Sequence, residues 1–298
     1  MNFNHSMAVF TSRLASAIAI AGMLSSCATQ IQMTCAVPSR VGLQRSTALE
    51  IQAKGSPLSK EIQATLNQEL QQGLFYTIAP EAEYQLRISE TKEHTRIKDL
   101  FVVKDEWFID NETELITRIS IFSKTNSAYT YSQEYSVTSD GYDGDIEALC
   151  HDIASDLQPH RLIYTEKLEA PDDNPAFEKA ADYCKDAMWQ HAAKAAEQAV
   201  QLTPHEPEAH YLQGLIQRQL ENYAASDTSF HKAYQLKPDA RYAEAVKINK
   251  LMQMGARYVR HQMKFTTNDE AVFNKATLPA YHKKKDTPWT QLFIPMNL

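Results

Sequence analysis

With 298 residues, 43% of them apolar and 22% charged, the chain can build two ordinary hydrophobic cores and lacks the composition of a disordered protein. Its balance is acidic, 30 Lys and Arg against 37 Asp and Glu, which speaks against a phosphate-neutralising surface and so against nucleic acid as partner. Four cysteines are too few for a disulfide scaffold.

Residues 1–13 carry one charge, Arg13, and run into the apolar stretch Leu14–Leu24, which Ser25, Ser26 and Cys27 follow. Such a stretch falls short of the roughly 20 residues that cross a bilayer and has the form of an export signal's hydrophobic region. Leu24-Ser25-Ser26-Cys27 behind it resembles the bacterial lipobox. The resemblance implies removal of residues 1–26 as a lipoprotein signal peptide and lipidation of Cys27 by acyl chains of the palmitate kind, each worth about 0.8 kcal/mol per buried CH₂. Ala28, where the inner-membrane sorting signal has Asp, implies the outer membrane, with the protein facing the periplasm. Loss of residues 1–26 takes away one Arg and no acid, changing the net charge from −7 to −8, so membrane attachment would rest on lipid. An ordinary secretory peptide, or a buried first helix, is the alternative and leaves Cys27 a plain thiol.

Cys35, Cys150 and Cys184 remain, an odd number that permits one disulfide at most. Cys35 falls on an expected strand and Cys150 on an expected helix of one domain, so Cys35–Cys150 is the economical pair, with buried thiols as the alternative.

Residues 27–170 read as an α+β domain. Ile31–Leu43 and Ala48–Ala53 suit strands. Ser56 and Pro57 then mark a helix start, and Leu58, Ile62, Leu66 and Leu70 form one stripe that stops at Gly73. Period-two alternation follows in four segments beginning at Tyr84, Phe101, Leu115 and Ala128, and predicts antiparallel strands with one dry face. Lys124–Ser127 reads as the hairpin turn between the last two. A second helix carries Ile146, Leu149, Ile153 and Leu157, and a strand from Arg161 to Lys167 would close the sheet. The expectation is an antiparallel sheet with two helices on one face. With Glu81–Leu86 opening the meander, this element order resembles the lipoprotein domains of the curli-secretion and penicillin-binding-protein-activator kind.

Beyond the linker Pro171–Pro175 the composition turns Ala-rich, opening an all-α region over 171–265. Laid against itself with Pro204 on Pro238, the chain also brings Leu202 onto Leu236, Trp189 onto Tyr223, Ala180 onto Gly214 and Phe177 onto Tyr211. Small residues at Ala180, Gly214, Ala192, Ala199 and Ala233 let paired helices approach while Trp189, Tyr223 and Phe230 fill the space between them. Pattern and period resemble the tetratricopeptide repeat, with repeats at 173–206 and 207–240. Two repeats need a cap, which Arg241 to about Phe265 supplies with Tyr242, Ala245, Ile248, Leu251 and Met252. By the resemblance, the first helix of each pair lines a concave groove: Asn174, Phe177, Ala181, Cys184 and Lys185, then Glu208, Tyr211, Leu215, Arg218 and Gln219. Phe177, Lys185, Tyr211, Leu215, Arg218 and Gln219 are the expected partner contacts, and the partner so implied is a protein or peptide.

Residues 266–298 form a tail with Lys283–Lys285 and the apolar Trp289, Leu292, Phe293 and Ile294, read as frayed apart from a few anchoring side chains. No catalytic set emerges: no nucleophile elbow, phosphate loop or dinucleotide fingerprint is present. His205 and His210 do not share a helical face as zinc ligands would, and Asp140–Asp145 lacks the acids of a calcium loop. No enzyme, cofactor or metal is expected. The sequence points to an outer-membrane lipoprotein that acts as an adaptor for another envelope protein. The alternatives are a self-associating subunit of a secretion or assembly structure and, third, an envelope hydrolase.

Overall fold

The computed structural model describes residues 29–103, 106–126, 129–140, 145–263 and 278–293. Residues 1–26, expected as a signal peptide, and Cys27 lie outside them. The chain divides into two compact units that do not follow chain order: Thr34–Ile163 with Lys250–Leu298, and Tyr164–Asn249 with the residues up to Met33.

In the first unit, β2 (Thr47–Ala53) leads into α1 (Pro57–Gln72). The Ser56 side chain accepts a hydrogen bond from the Ser59 amide at 3.3 Å, and Pro57 takes the first turn, where no N–H is needed. Ile62, Leu66 and Leu70 are buried as one stripe. A helix after a strand returns the chain to the strand's starting end, so β3 (Tyr76–Ile78) runs parallel to β2, and β4 (Tyr84–Ile88) joins β2's other edge, also parallel. The remaining pairs are antiparallel: β4 with the end of β6 (Glu106–Ser123), β5 (Lys92–Val103) with its beginning, and β7 (Tyr129–Asp140) along its other edge. The sheet is therefore mixed, which corrects the antiparallel expectation; the crossover helix α1 is the reason.

Two further corrections concern strands. The run from Phe101 to Ile109, expected as one strand, doubles back: Val103 pairs with Glu106, so β5 ends and β6 begins on either side of Lys104-Asp105 in the sequence. The strand near Arg161 forms as β8 (His160–Leu168) but does not close this sheet. It lies in a separate three-stranded sheet between β1 (Thr29–Val37) and β9 (Ala280–His282), and pairs with β9 in parallel.

α2 (Ile146–Leu157) begins at Asp145, whose carboxylate accepts from the Ala148 amide at 2.7 Å. This makes Asp145 a helix cap; residues 141–144 lie outside the described set. α1 and α2 share one core with Leu49 and Ile51 of β2, Leu86 and Ile88 of β4, Leu115, Ile119 and Ile121 of β6, and Tyr131 and Tyr135 of β7. Along the same face a seam of hydroxyls links Ser59 to Thr91 and Thr91 to Thr117, each pair 3.2 Å apart. Within the tail, residues 278–293 hold more structure than expected: they supply β9, whose Tyr281 enters this core, and α8 (Trp289–Phe293), whose Phe293 is buried.

The second unit holds α3 (Pro175–Lys185), α4 (Trp189–Leu202), α5 (Pro207–Gln219) and α6 (Tyr223–Leu236). They form two helical hairpins in matching register: α4 starts at Trp189 and ends at Leu202, and α6 starts and ends at the corresponding positions, Tyr223 and Leu236. Small residues set the approach within the second hairpin: a Cβ on Gly214 would lie 2.6 Å from the Phe230 ring. α7 (Ala240–Gln262), expected wholly as a cap on these hairpins, contributes to this unit only through its first turns, as far as Asn249.

Candidate functional site

Five of the six side chains assigned to a partner groove are buried in their own chain. Phe177 and Leu215 are fully buried, and Tyr211, Arg218 and Gln219 nearly so; of the six, Lys185 alone is exposed, paired with Asp182 at 2.8 Å. Glu166 on β8 occupies the inner side of α5. One carboxylate oxygen accepts from Arg218 Nη2 at 3.0 Å and the other from the Tyr211 hydroxyl at 3.0 Å. The Arg218 guanidinium also stacks over the rings of Phe230 and Tyr164, at 5.3 and 5.7 Å.

A second carboxylate, Glu208 at the start of α5, continues the network. It accepts from Arg241 Nη1 at 2.9 Å and from the Tyr242 hydroxyl at 2.5 Å. Arg241 lies 4.2 Å over the Tyr211 ring. Burial pushes the Tyr211 and Tyr242 hydroxyls above the ordinary tyrosine range, with the neighbouring carboxylates adding to the shift, so both act as hydrogen-bond donors. A buried carboxylate, Glu208, and a partly buried one, Glu166, thus hold two arginines and two tyrosines together. The structure brings Tyr211 and Arg218 to one carboxylate, Glu166, which sequence reasoning missed because a single strand residue outside the helical pattern carries no periodic signal.

A polar cavity of about 300 Å³ lies within the sheet unit, reached by Arg40, Tyr135, His151, Asp156, His160, Tyr281 and Lys284 among others. At its wall Asp156 accepts from Arg40 Nη1 at 3.0 Å and from the Tyr135 hydroxyl at 2.8 Å, with the Tyr131 hydroxyl at 3.3 Å. Burial raises the Asp156 carboxyl above its ordinary range, opposed by Arg40 and the two tyrosines. His160 is buried with Nδ1 3.3 Å from the Gln158 carbonyl oxygen, and burial lowers its pKa to about 4. Tyr281 sits between His151 and His160, with ring centroids 4.2 and 5.1 Å away. Lys284 pairs with Asp152 at the rim.

The remaining candidates are placed as follows. Cys35, Cys150 and Cys184 are all buried thiols, so the Cys35–Cys150 bridge is not formed; Cys150 Sγ instead lies 3.6 Å from the Ile62 carbonyl oxygen. His210 is buried with Nε2 3.0 Å from the Pro204 carbonyl oxygen, while His205 is exposed. Among the described residues no group of three His, Cys, Asp or Glu could hold a metal ion, and no helix is long and apolar enough to cross a membrane.

No family model matches the chain, and no curated protein matches it. Among solved structures it is similar to a minor lipoprotein from Acinetobacter baumannii, with 12% identity over 36% of this chain and 89% of that one and a TM-score of 0.28. It is also similar to the PelC dodecamer from Paraburkholderia phytofirmans, with 15% identity over 43% and 98% and a TM-score of 0.28. A third likeness is to the rare lipoprotein B from Shewanella oneidensis, with 11% identity over 52% and 98% and a TM-score of 0.23.

Proposed function

We propose that the protein is a lipoprotein of the bacterial cell envelope, held by acyl chains on Cys27, and that it serves as a non-catalytic scaffold for another envelope protein. The observation that carries the first part is the joint occurrence of the apolar stretch Leu14–Leu24 and Leu24-Ser25-Ser26-Cys27 directly behind it. Two helical hairpins in matching register support the second, as tetratricopeptide-type repeats in a role of protein binding. Since Glu166 fills the inner side of α5, a partner would meet the rim of the hairpins, where Lys185 is open. Ala28 supports the outer membrane as the site of attachment, with the folded units in the periplasm.

Metabolic labelling with a palmitate analogue, with membrane fractionation alongside, tests the anchor. The native chain takes up label and sediments with outer membranes, whereas Cys27→Ser is unlabelled and soluble in the periplasm. Label on Cys27→Ser, or none on the native chain, overturns the reading. A photo-crosslinking residue at position 185 tests the scaffold in intact cells. One defined envelope protein should be captured there and not from position 124 on the other unit; adducts identical from both positions count against it.

A further inference from the structure

Residues 278–293 are fastened to the sheet unit at separate points, all of them within that unit. β9 meets β8 in three residue pairs, Arg161 with Ala280, Leu162 with Tyr281 and Ile163 with His282, and the Arg161 amide donates to the Pro279 carbonyl oxygen at 2.7 Å. Backbone pairing of that length contributes little by itself, so side chains must hold the segment. Leu278 packs on Ala36 and Val259 at one end. Phe293 is seated on Gly255 of α7 at the other, where a Cβ would stand 2.5 Å from its ring. Between them the Gln291 carbonyl oxygen accepts from Arg40 Nη2 at 3.1 Å, and Lys284 pairs with Asp152. The segment also forms part of the cavity wall, through Tyr281, Lys284, Thr287 and Gln291, together with Arg40, Tyr135 and Asp156.

The central anchor is Tyr281, buried with its ring edge-to-face between two imidazoles, His151 of α2 and His160 of β8. The Gln158 side-chain amide donates to the Tyr281 hydroxyl at 3.2 Å. The tyrosine thereby shields His160, and that shielding decides which form of the imidazole the closed arrangement accepts. The carbonyl oxygens of Gln158 and Ser155 favour a charged ring, whereas burial and the neighbouring Arg40 and His151 oppose it, and burial prevails. Around this cluster stand Glu69 of α1, 3.5 Å from His151, Asp152 and Asp156 of α2, and Lys284. Asp156 is held by Arg40, Tyr131 and Tyr135, none of which belongs to the segment. We infer that residues 278–293 form a strap that acid releases: a proton taken up by His160 expels Tyr281, β9 leaves β8, and the wall carrying Arg40, Tyr135 and Asp156 opens to solvent. With 6.5 for the imidazole in water and about 4 for the enclosed one, the ratio of open to closed strap rises about 30-fold from pH 7.5 to pH 5. The strap depends neither on lipidation nor on a scaffold role.

Hydrogen exchange read by mass spectrometry tests this on the mature chain carrying Cys27→Ser, at pH 5.0 and 7.5, with rates corrected for the intrinsic effect of pH. Protection of residues 279–284 should fall about 30-fold at the lower pH, while that of α1 and β4 is kept. His160→Gln should abolish the pH effect, whether or not it loosens the strap at both pH values. Gly255→Val fills the seat of Phe293 and leaves both histidines in place, and it should lower the protection of residues 279–284 at both pH values. Equal protection of the parent at the two pH values, or a loss shared by α1 and β4, would overturn the inference. So would a pH effect that survives in His160→Gln, which would assign it to Glu69 and Asp152. Unchanged protection of residues 279–284 in Gly255→Val would count equally against it, because the segment would then not move as one.

Discussion

Arg218 on α5 and Glu166 on β8 stand 3.0 Å apart with the arginine side chain only 2% exposed, and the Tyr211 hydroxyl takes the second carboxylate oxygen. A strand residue thereby occupies the position at which the resemblance to tetratricopeptide repeats led us to expect a partner. Removing one member of such a pair leaves the other charge buried, at a cost of roughly 3–5 kcal/mol, whereas replacing both with apolar side chains is often nearly neutral. Glu166→Ala should therefore lower the stability of the helical unit by about 3 kcal/mol, and Glu166→Leu with Arg218→Met should restore most of it. Urea unfolding of the mature chain followed at 222 nm reads both; a loss below about 0.5 kcal/mol for Glu166→Ala would show that the pair is a surface contact in solution.

The second hairpin depends on the missing side chain of Gly214. A Cβ there would stand 2.6 Å from two atoms of the Phe230 ring, and Phe230 is itself fully buried, so the ring has nowhere to retreat. Gly214→Ala should cost about 1–3 kcal/mol through overpacking, despite the better helix propensity of Ala. Phe230→Leu added to it should recover part of the loss, although Phe230→Leu alone is destabilising. Additive losses in that double-mutant cycle would disprove the contact.

Gly214, Ala180 and the aromatic positions stood out in the sequence because the chain matches itself there, with Ala180 on Gly214 and Trp189 on Tyr223. The capped starts of α1 and α2 were legible too, since Ser56 with Pro57 and Asp145 are local signals. What escaped was long-range. No local pattern says that β2 and β3 run parallel, because the cause is the return of the chain through α1. Nor does any show β8 leaving the main sheet to pair with residues 280–282, more than a hundred positions away. The Phe101–Ile109 run misled for a third reason: apolar residues on both sides of Lys104-Asp105 in the sequence blur the alternation that marks one strand's end. The same distance effect hid Glu166, and with it the engagement of Tyr211 and Arg218 within the chain.

His160 sets one slope of stability against pH. Burial lowers its pKa from 6.5 to about 4, so between these values the unfolded chain holds a proton that the folded chain does not. Stability should then rise with pH across that window, by roughly 3 kcal/mol in total for a shift of this size. Asp156 works in the opposite sense, because its carboxyl is raised: it favours the folded state at low pH and loses that contribution as pH rises from 3.8 through its folded value. The difference between the parent and His160→Gln isolates the histidine. Urea midpoints measured at pH 4.5 and 7.5 should differ less in His160→Gln than in the parent, and equal slopes in the two proteins would refute the assignment.

The thiols give a chemical readout of the same burial. Cys150 and Cys184 are pushed from 9.0 up to about 12 by burial, with the Glu69 carboxylate adding to the shift at Cys150. Only the thiolate reacts with alkylating agents, so at pH 8 the reactive fraction at each site falls by roughly a thousandfold, before the steric effect of burial is added. In the native mature chain iodoacetamide should therefore leave both residues unmodified over hours, while the same reagent in 8 M urea modifies them within minutes. Because Cys35 and Cys150 are not bridged, dithiothreitol should also leave the melting temperature unchanged to within about 1 °C, against the several degrees that loss of a disulfide worth about 2–4 kcal/mol would produce. Rapid native labelling at Cys150 would show that α2 opens from the sheet, and a melting temperature lowered by reductant would mean that a disulfide forms in solution and stabilises the fold.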